Sequence, residues 1–153
     1  MKISLGVLQV PEPEGGDTYI TALALESKYG LFSKFVEFDI NNIASELEDS
    51  ISGSLETIMQ GGKSLDPFAA ATSQIDQNFR DFLSSKEAES QGMVGVPTQA
   101  ALDGKSLRFK GRVTASSYIA GKRAPIVKKT GPRRPSFIYS GVLQASFKSW
   151  VEE

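Results

Sequence analysis

The 153-residue chain is 40% hydrophobic and 23% charged, and it has no cysteine and no histidine. Those two absences exclude disulfides, thiolate nucleophiles, imidazole bases and Cys- or His-bound metals, so Ser–His–Asp, Cys–His and His–metal hydrolysis cannot be assembled within it. The net charge of −1 hides a division: residues 1–90 hold 6 Lys/Arg against 15 Asp/Glu, net −9, and residues 91–153 hold 11 against 3, net +8.

The length and apolar share fit a single folded domain over 1–153. No apolar run approaches the ~20 residues of a membrane helix. The apolar start meets Pro11 and Glu12 before it reaches the length of a secretory segment, so the expected place is a cytoplasm or an assembly built there. Residues 2–10 alternate Ile3, Leu5 and Val7 with Ser4, Gly6 and Leu8 and predict a strand. Pro11 to Asp17 breaks it. Residues 18–26 predict either a second strand closing a hairpin or a short helix toward Gly30. Alternation of Val36, Phe38 and Ile40 predicts a further strand over 33–40. Residues 1–40 thus read as a β-ribbon or arm, which must cover something to be stable.

Residues 41–60 carry the clearest period. Ile43, Leu47, Ile51, Leu55, Ile58 and Met59 share one helical face, Asn41 or Asn42 can cap the start, and Gly61-Gly62 ends the run. Gly53 costs about 1 kcal/mol inside a helix, which predicts a close neighbour there. Asp66-Pro67 opens a second helix, with Asp66 as N-cap and Pro67 at the first helical position; Phe68, Ala71, Ile75, Phe79, Phe82 and Leu83 are its buried face, and it ends between Ser85 and Glu89. Residues 41–90 are therefore a helical layer. Residues 91–134 have no period and many Gly and Pro, which predicts an extended basic loop or β-ribbon, a kind of segment that is functional or ordered by a partner. In 135–153, Phe137 and Tyr139 read as strand, Gly141 as a turn or bulge, and Val142 to Val151 as a short helix or a final strand. The fold class is α+β: a small antiparallel sheet, two amphipathic helices and the long basic loop.

No motif carries chemistry. Gly104-Lys105-Ser106 has the end of a phosphate loop, but position 99 is Gln where the loop needs Gly. Carboxylates gather at Glu46, Glu48 and Asp49 and again at Asp76 and Asp81; an exposed helix face explains them more simply than a metal or an acid–base pair. No catalytic residue, cofactor or metal is expected. The charge division predicts a contact instead. Lys105, Arg108, Lys110, Arg112, Lys122, Arg123, Lys128, Lys129, Arg133 and Arg134 form the basic side, and Glu46, Glu48 and Asp49 the acidic side. Meeting head to tail between copies, they would close a ring. The alternatives are a nucleic-acid-binding module whose basic arm neutralises phosphates, a solvated loop, and a carboxylate–metal enzyme.

Ser116-Ser117-Tyr118 before Gly121-Lys122-Arg123, then Pro135-Ser136-Phe137-Ile138-Tyr139 and Ser140-Gly141-Val142-Leu143-Gln144-Ala145-Ser146-Phe147, resemble the C-terminal segment of the tail-completion and virion-morphogenesis proteins of tailed bacteriophages, with Val142 where that family has a cation. In that pattern Ser140 and Gly141 turn the chain sharply, since Gly tolerates positive φ. Leu143 and Phe147 bury on one side, and Ser146 precedes the last apolar residue. The resemblance implies a non-enzymatic homo-oligomeric ring, most often sixfold, at a phage neck, head–tail junction or tail end. It also implies neck, tail and connector proteins as neighbours, passing contact with DNA in a channel, no membrane, and a life in the host cytoplasm and then the virion.

Overall fold

The computed structural model describes residues 2–12, 16–63, 66–104, 132–138 and 141–152. The fold is α+β: helices packed on a two-stranded antiparallel sheet. In chain order the elements are β1 (Lys2–Val7), α1 (Thr18–Tyr29), α2 (Leu31–Met59), α3 (Ala69–Ser84), α4 (Glu87–Ser90), α5 (Gln99–Leu102), α6 (Val142–Ser146) and β2 (Phe147–Glu152).

The predicted strand at the N-terminus forms, but its partner is the far end of the chain. β1 and β2 pair from Lys2 with Glu152 to Val7 with Phe147. The expected β-ribbon over 1–40 is therefore corrected: β1 is followed by α1 and the first turns of α2. Asp17 caps α1 by accepting the Ile20 N–H at 2.9 Å, and Thr18 stitches α1 to the end of β1. The Thr18 hydroxyl donates to Leu8 O at 2.5 Å and accepts from Val10 N at 2.9 Å. Gly30, at φ 64° and ψ 37°, ends α1 and begins α2 in one residue. The left-handed conformation favours Gly there. The Glu26 carboxylate then accepts the Phe32 N–H at 2.8 Å and bonds Ser33, placing a negative charge at the positive end of α2.

The strand expected over 33–40 is helix, and Asn41 and Asn42 lie inside α2. Leu31, Phe35, Asp39 and Ile43 recur every four residues on the buried side. Phe38 and Ile40, which made the two-residue alternation, project to exposed positions. An exposed apolar residue mimics strand patterning whenever the true period is 3.6. Asp39 is buried and accepts from Asn42 Nδ2 at 2.6 Å and Asn78 Nδ2 at 2.9 Å, which ties α2 to α3. Gly61-Gly62 ends α2 as expected: Gly61 has φ 82°, and a Cβ on Gly62 would lie 2.7 Å from the Thr57 methyl.

α3 runs from Ala69 to Ser84 and buries Ala71, Ile75, Phe79, Phe82 and Leu83. The expected N-cap at Asp66 with Pro67 at the first helical position is corrected, since Asp66, Pro67 and half-buried Phe68 precede the helix in a turn where Asp66 accepts the Phe68 N–H at 2.9 Å. The core is a cluster of rings: Phe79 stacks on Phe147 with centroids 4.0 Å apart, and Phe35 meets Phe79 edge-on at 5.1 Å. Such pairs add about 1 kcal/mol to the area they bury. Val142 to Val151 is both of the alternatives in sequence, α6 and then β2. Gly141 starts α6 at φ 77°, and Leu143, Ser146 and Phe147 are buried. Phe137 is not in a strand: it sits at φ 68° in a turn and packs edge-on against Tyr29 at 5.1 Å. Tyr139 and Ser140 lie outside the described residues.

Candidate assembly surface

α2 has 29 residues and α3 has 16, and the two are joined by a short connection. The Ser50 hydroxyl donates to Pro67 O at 2.7 Å, which marks where the start of α3 lies against α2. The nine residues from Ile51 to Met59 extend about 13 Å past that point, at 1.5 Å per residue. On this overhang the apolar face loses its cover. Ile51 is 43% exposed, Leu55 56%, Ile58 55% and Met59 79%. The same period that builds the core at Phe35 and Ile43 continues here with nothing from α3 beneath it.

The expectation of a close neighbour at Gly53 is corrected, since a Cβ there would have open space around it. Glu48, Asp49 and Glu56 are exposed along the same stretch, and Glu46 is half-buried. The last turn of α2 has no cation, so the partial negative charge of the helix C-terminus adds to theirs.

The basic side of the expected contact divides. Lys105, Arg108, Lys110, Arg112, Lys122, Arg123, Lys128 and Lys129 lie outside the described residues. Arg133 is half-exposed and bonded within its own chain, Nη2 to Glu89 Oε2 at 2.5 Å. Glu89 also accepts from Ser136 N at 3.0 Å and Ser136 Oγ at 2.9 Å. Burial pushes the Glu89 carboxyl up, but the Ser136 and Arg133 donors outweigh it and hold the group below the usual range. Arg134 N donates to Ala101 O at 3.1 Å, and Thr98 N to Ser136 Oγ at 3.2 Å. The chain thus leaves this clamp after Gly104 and returns to it at Pro132. The clamp is built on α4, just after α3 ends, whereas the overhang lies beyond where α3 begins. The structure therefore places the acidic overhang and the root of the basic segment at opposite ends of α3.

The chain matches no protein-family model, no curated protein and no solved structure.

Among the described residues no group of three carboxylates is placed to hold a metal ion, and no helix is long and apolar enough to cross a membrane. Asp76 accepts from Lys148 Nζ at 2.8 Å and from Ser149 N at 2.7 Å. Sequence reasoning missed one feature. The outer side of α1 exposes Tyr19 at 57%, Ile20 at 61% and Leu23 at 59%. Its signal was the run Tyr19-Ile20-Thr21-Ala22-Leu23-Ala24-Leu25, which has no polar side if it is a helix.

Proposed function

We propose that this chain is a non-enzymatic structural subunit that assembles with copies of itself, head to tail, into a ring of a tailed-phage neck or tail end. The observation that carries the assembly is the overhang of α2. An apolar stripe that continues the core period, stands uncovered and is flanked by Glu48, Asp49 and Glu56 is the pattern of an interface with an apolar centre and a polar rim. The cations complementary to it are in the same chain: residues 105–131 hold eight Lys/Arg and no acid. Their root is at the other end of α3, which favours a meeting between copies. The placing in a virion, with a sixfold ring, neighbouring neck or tail proteins and a DNA channel, is supported by the resemblance of residues 116–147 to tail-completion proteins.

Sedimentation tests this reading. Wild type is expected to form a defined oligomer at low salt and to dissociate as salt rises through the range that screens surface charge. Lys128→Glu with Lys129→Glu is expected to lower its mass at any salt, and it leaves the Arg133–Glu89 pair untouched. A monomer under all conditions, alone and mixed with isolated phage necks, would remove the reading. Tight binding of random duplex with a steep salt slope would instead favour the nucleic-acid module.

A further inference from the structure

We infer that the outer face of α1 receives the α2 overhang of a neighbouring copy, so that the two exposed apolar faces of the chain are the halves of one contact. This rests on the self-assembling reading above and names the surface that the overhang meets.

A surface helix ordinarily has one apolar stripe. On α1, Thr18 and Ala22 are buried with Leu25 and Tyr29 half-buried beside them, and the opposite arc carries Tyr19, Ile20 and Leu23, all more than half exposed. A helix apolar on both sides is built to be covered on both. The overhang leaves Ile51, Leu55, Ile58 and Met59 between 43% and 79% exposed, and the α1 face leaves Tyr19, Ile20 and Leu23 between 57% and 61% exposed. Joined, they would take seven large apolar side chains out of water at once, and apolar burial is the main favourable contribution to such a contact.

Charge selects the pairing. Overhang against overhang would bring two sets of Glu48, Asp49 and Glu56 together, and like charges facing each other oppose association. The exposed arc of α1, Tyr19, Ile20 and Leu23, is itself uncharged; Asp17 and Glu26 lie toward the two ends of the helix, with Lys28 in its last turn. The carboxylates at its ends are engaged, Asp17 by the Ile20 N–H and Gln9, and Glu26 by the Phe32 N–H and Ser33. Pairing α1 with itself would leave the overhang uncovered. Within one copy the two faces cannot meet, because α1 adjoins the first residue of α2 and the overhang is its last turns, about 30 Å along a continuous helix. The contact is heterologous, and repeated it closes a ring or runs on as a filament.

The absence of cysteine makes the test direct. Leu23→Cys and Leu55→Cys variants are mixed under mild oxidation. The expected product is the disulfide between the two different variants, in large excess over either symmetric dimer. Leu23→Glu and Leu55→Glu are each expected to sediment at the 16.5 kDa of one chain while keeping wild-type helical circular dichroism. If the symmetric Leu55→Cys dimer dominates, or if Leu23→Glu assembles as wild type does, the docking is wrong and the assembling subunit stands. If wild type itself never assembles, the earlier reading fails with it. Should a Glu variant not fold, the cysteine pair still decides.

Discussion

Asp76 of α3 accepts the backbone N–H of Ser149 in β2 at 2.7 Å, 73 residues away in sequence. The same carboxylate is within 2.9 Å of the Ser149 hydroxyl and 2.8 Å of Lys148 Nζ. Ser149 is at an odd position of β2, and the even positions make the ladder: Leu8 N donates to Ser146 O in the same register. Its N–H therefore points off the outer edge of the sheet, where Asp76 covers it. Asp76→Ala would leave that donor buried without an acceptor, at a cost of about 3 kcal/mol. Urea unfolding followed by circular dichroism measures it, and a loss no larger than a surface substitution gives would contradict the role.

Gly53 is in the exposed overhang with nothing around the position of a Cβ. Gly53→Ala is therefore expected to stabilise the fold by about 0.5–1 kcal/mol, by the helix propensity of Ala and the reduced freedom of the unfolded chain. A thermal melt of the unassembled protein shows it as a raised midpoint.

The clamp at Glu89 predicts an acid limb of stability. Its carboxyl is held below the ordinary value in the folded chain, through Ser136 and Arg133 and against the cost of burial. The unfolded state binds that proton first as pH falls. The contribution is thus complete above the ordinary Glu range and is lost as pH drops through the lower, folded value. Glu89→Gln is expected to be less stable than wild type at pH 7, with the gap closing in acid. Unfolding curves across that range give the comparison.

Gly6 lies under Trp150, and a Cβ on it would be 2.6 Å from Cη2 of the indole. Since Trp150 is 43% exposed, its ring can swing away. Gly6→Ala is expected to red-shift the emission of this single tryptophan and to cost about 1 kcal/mol or less. In the Trp150→Ala background that cost should vanish, which a double-mutant cycle tests.

The sequence alone determined what depends on neighbours within a few turns. Gly61-Gly62 ends α2, Ile75, Phe79 and Phe82 mark a face by their spacing, and Gly141 turns the chain ahead of Leu143 and Phe147. It also excluded whole classes of chemistry by the residues it lacks. Tertiary structure decided the rest. Val36, Phe38 and Ile40 alternate as a strand would, yet they continue the helix that begins at Gly30, because Phe35 and Ile43 find α3 to pack on. β1 pairs with β2 through a contact that only the closed chain brings together. The overhang has the same period as the buried half of α2. Periodicity states which residues share a face, and only the length of the partner helix fixes where that face stops being covered.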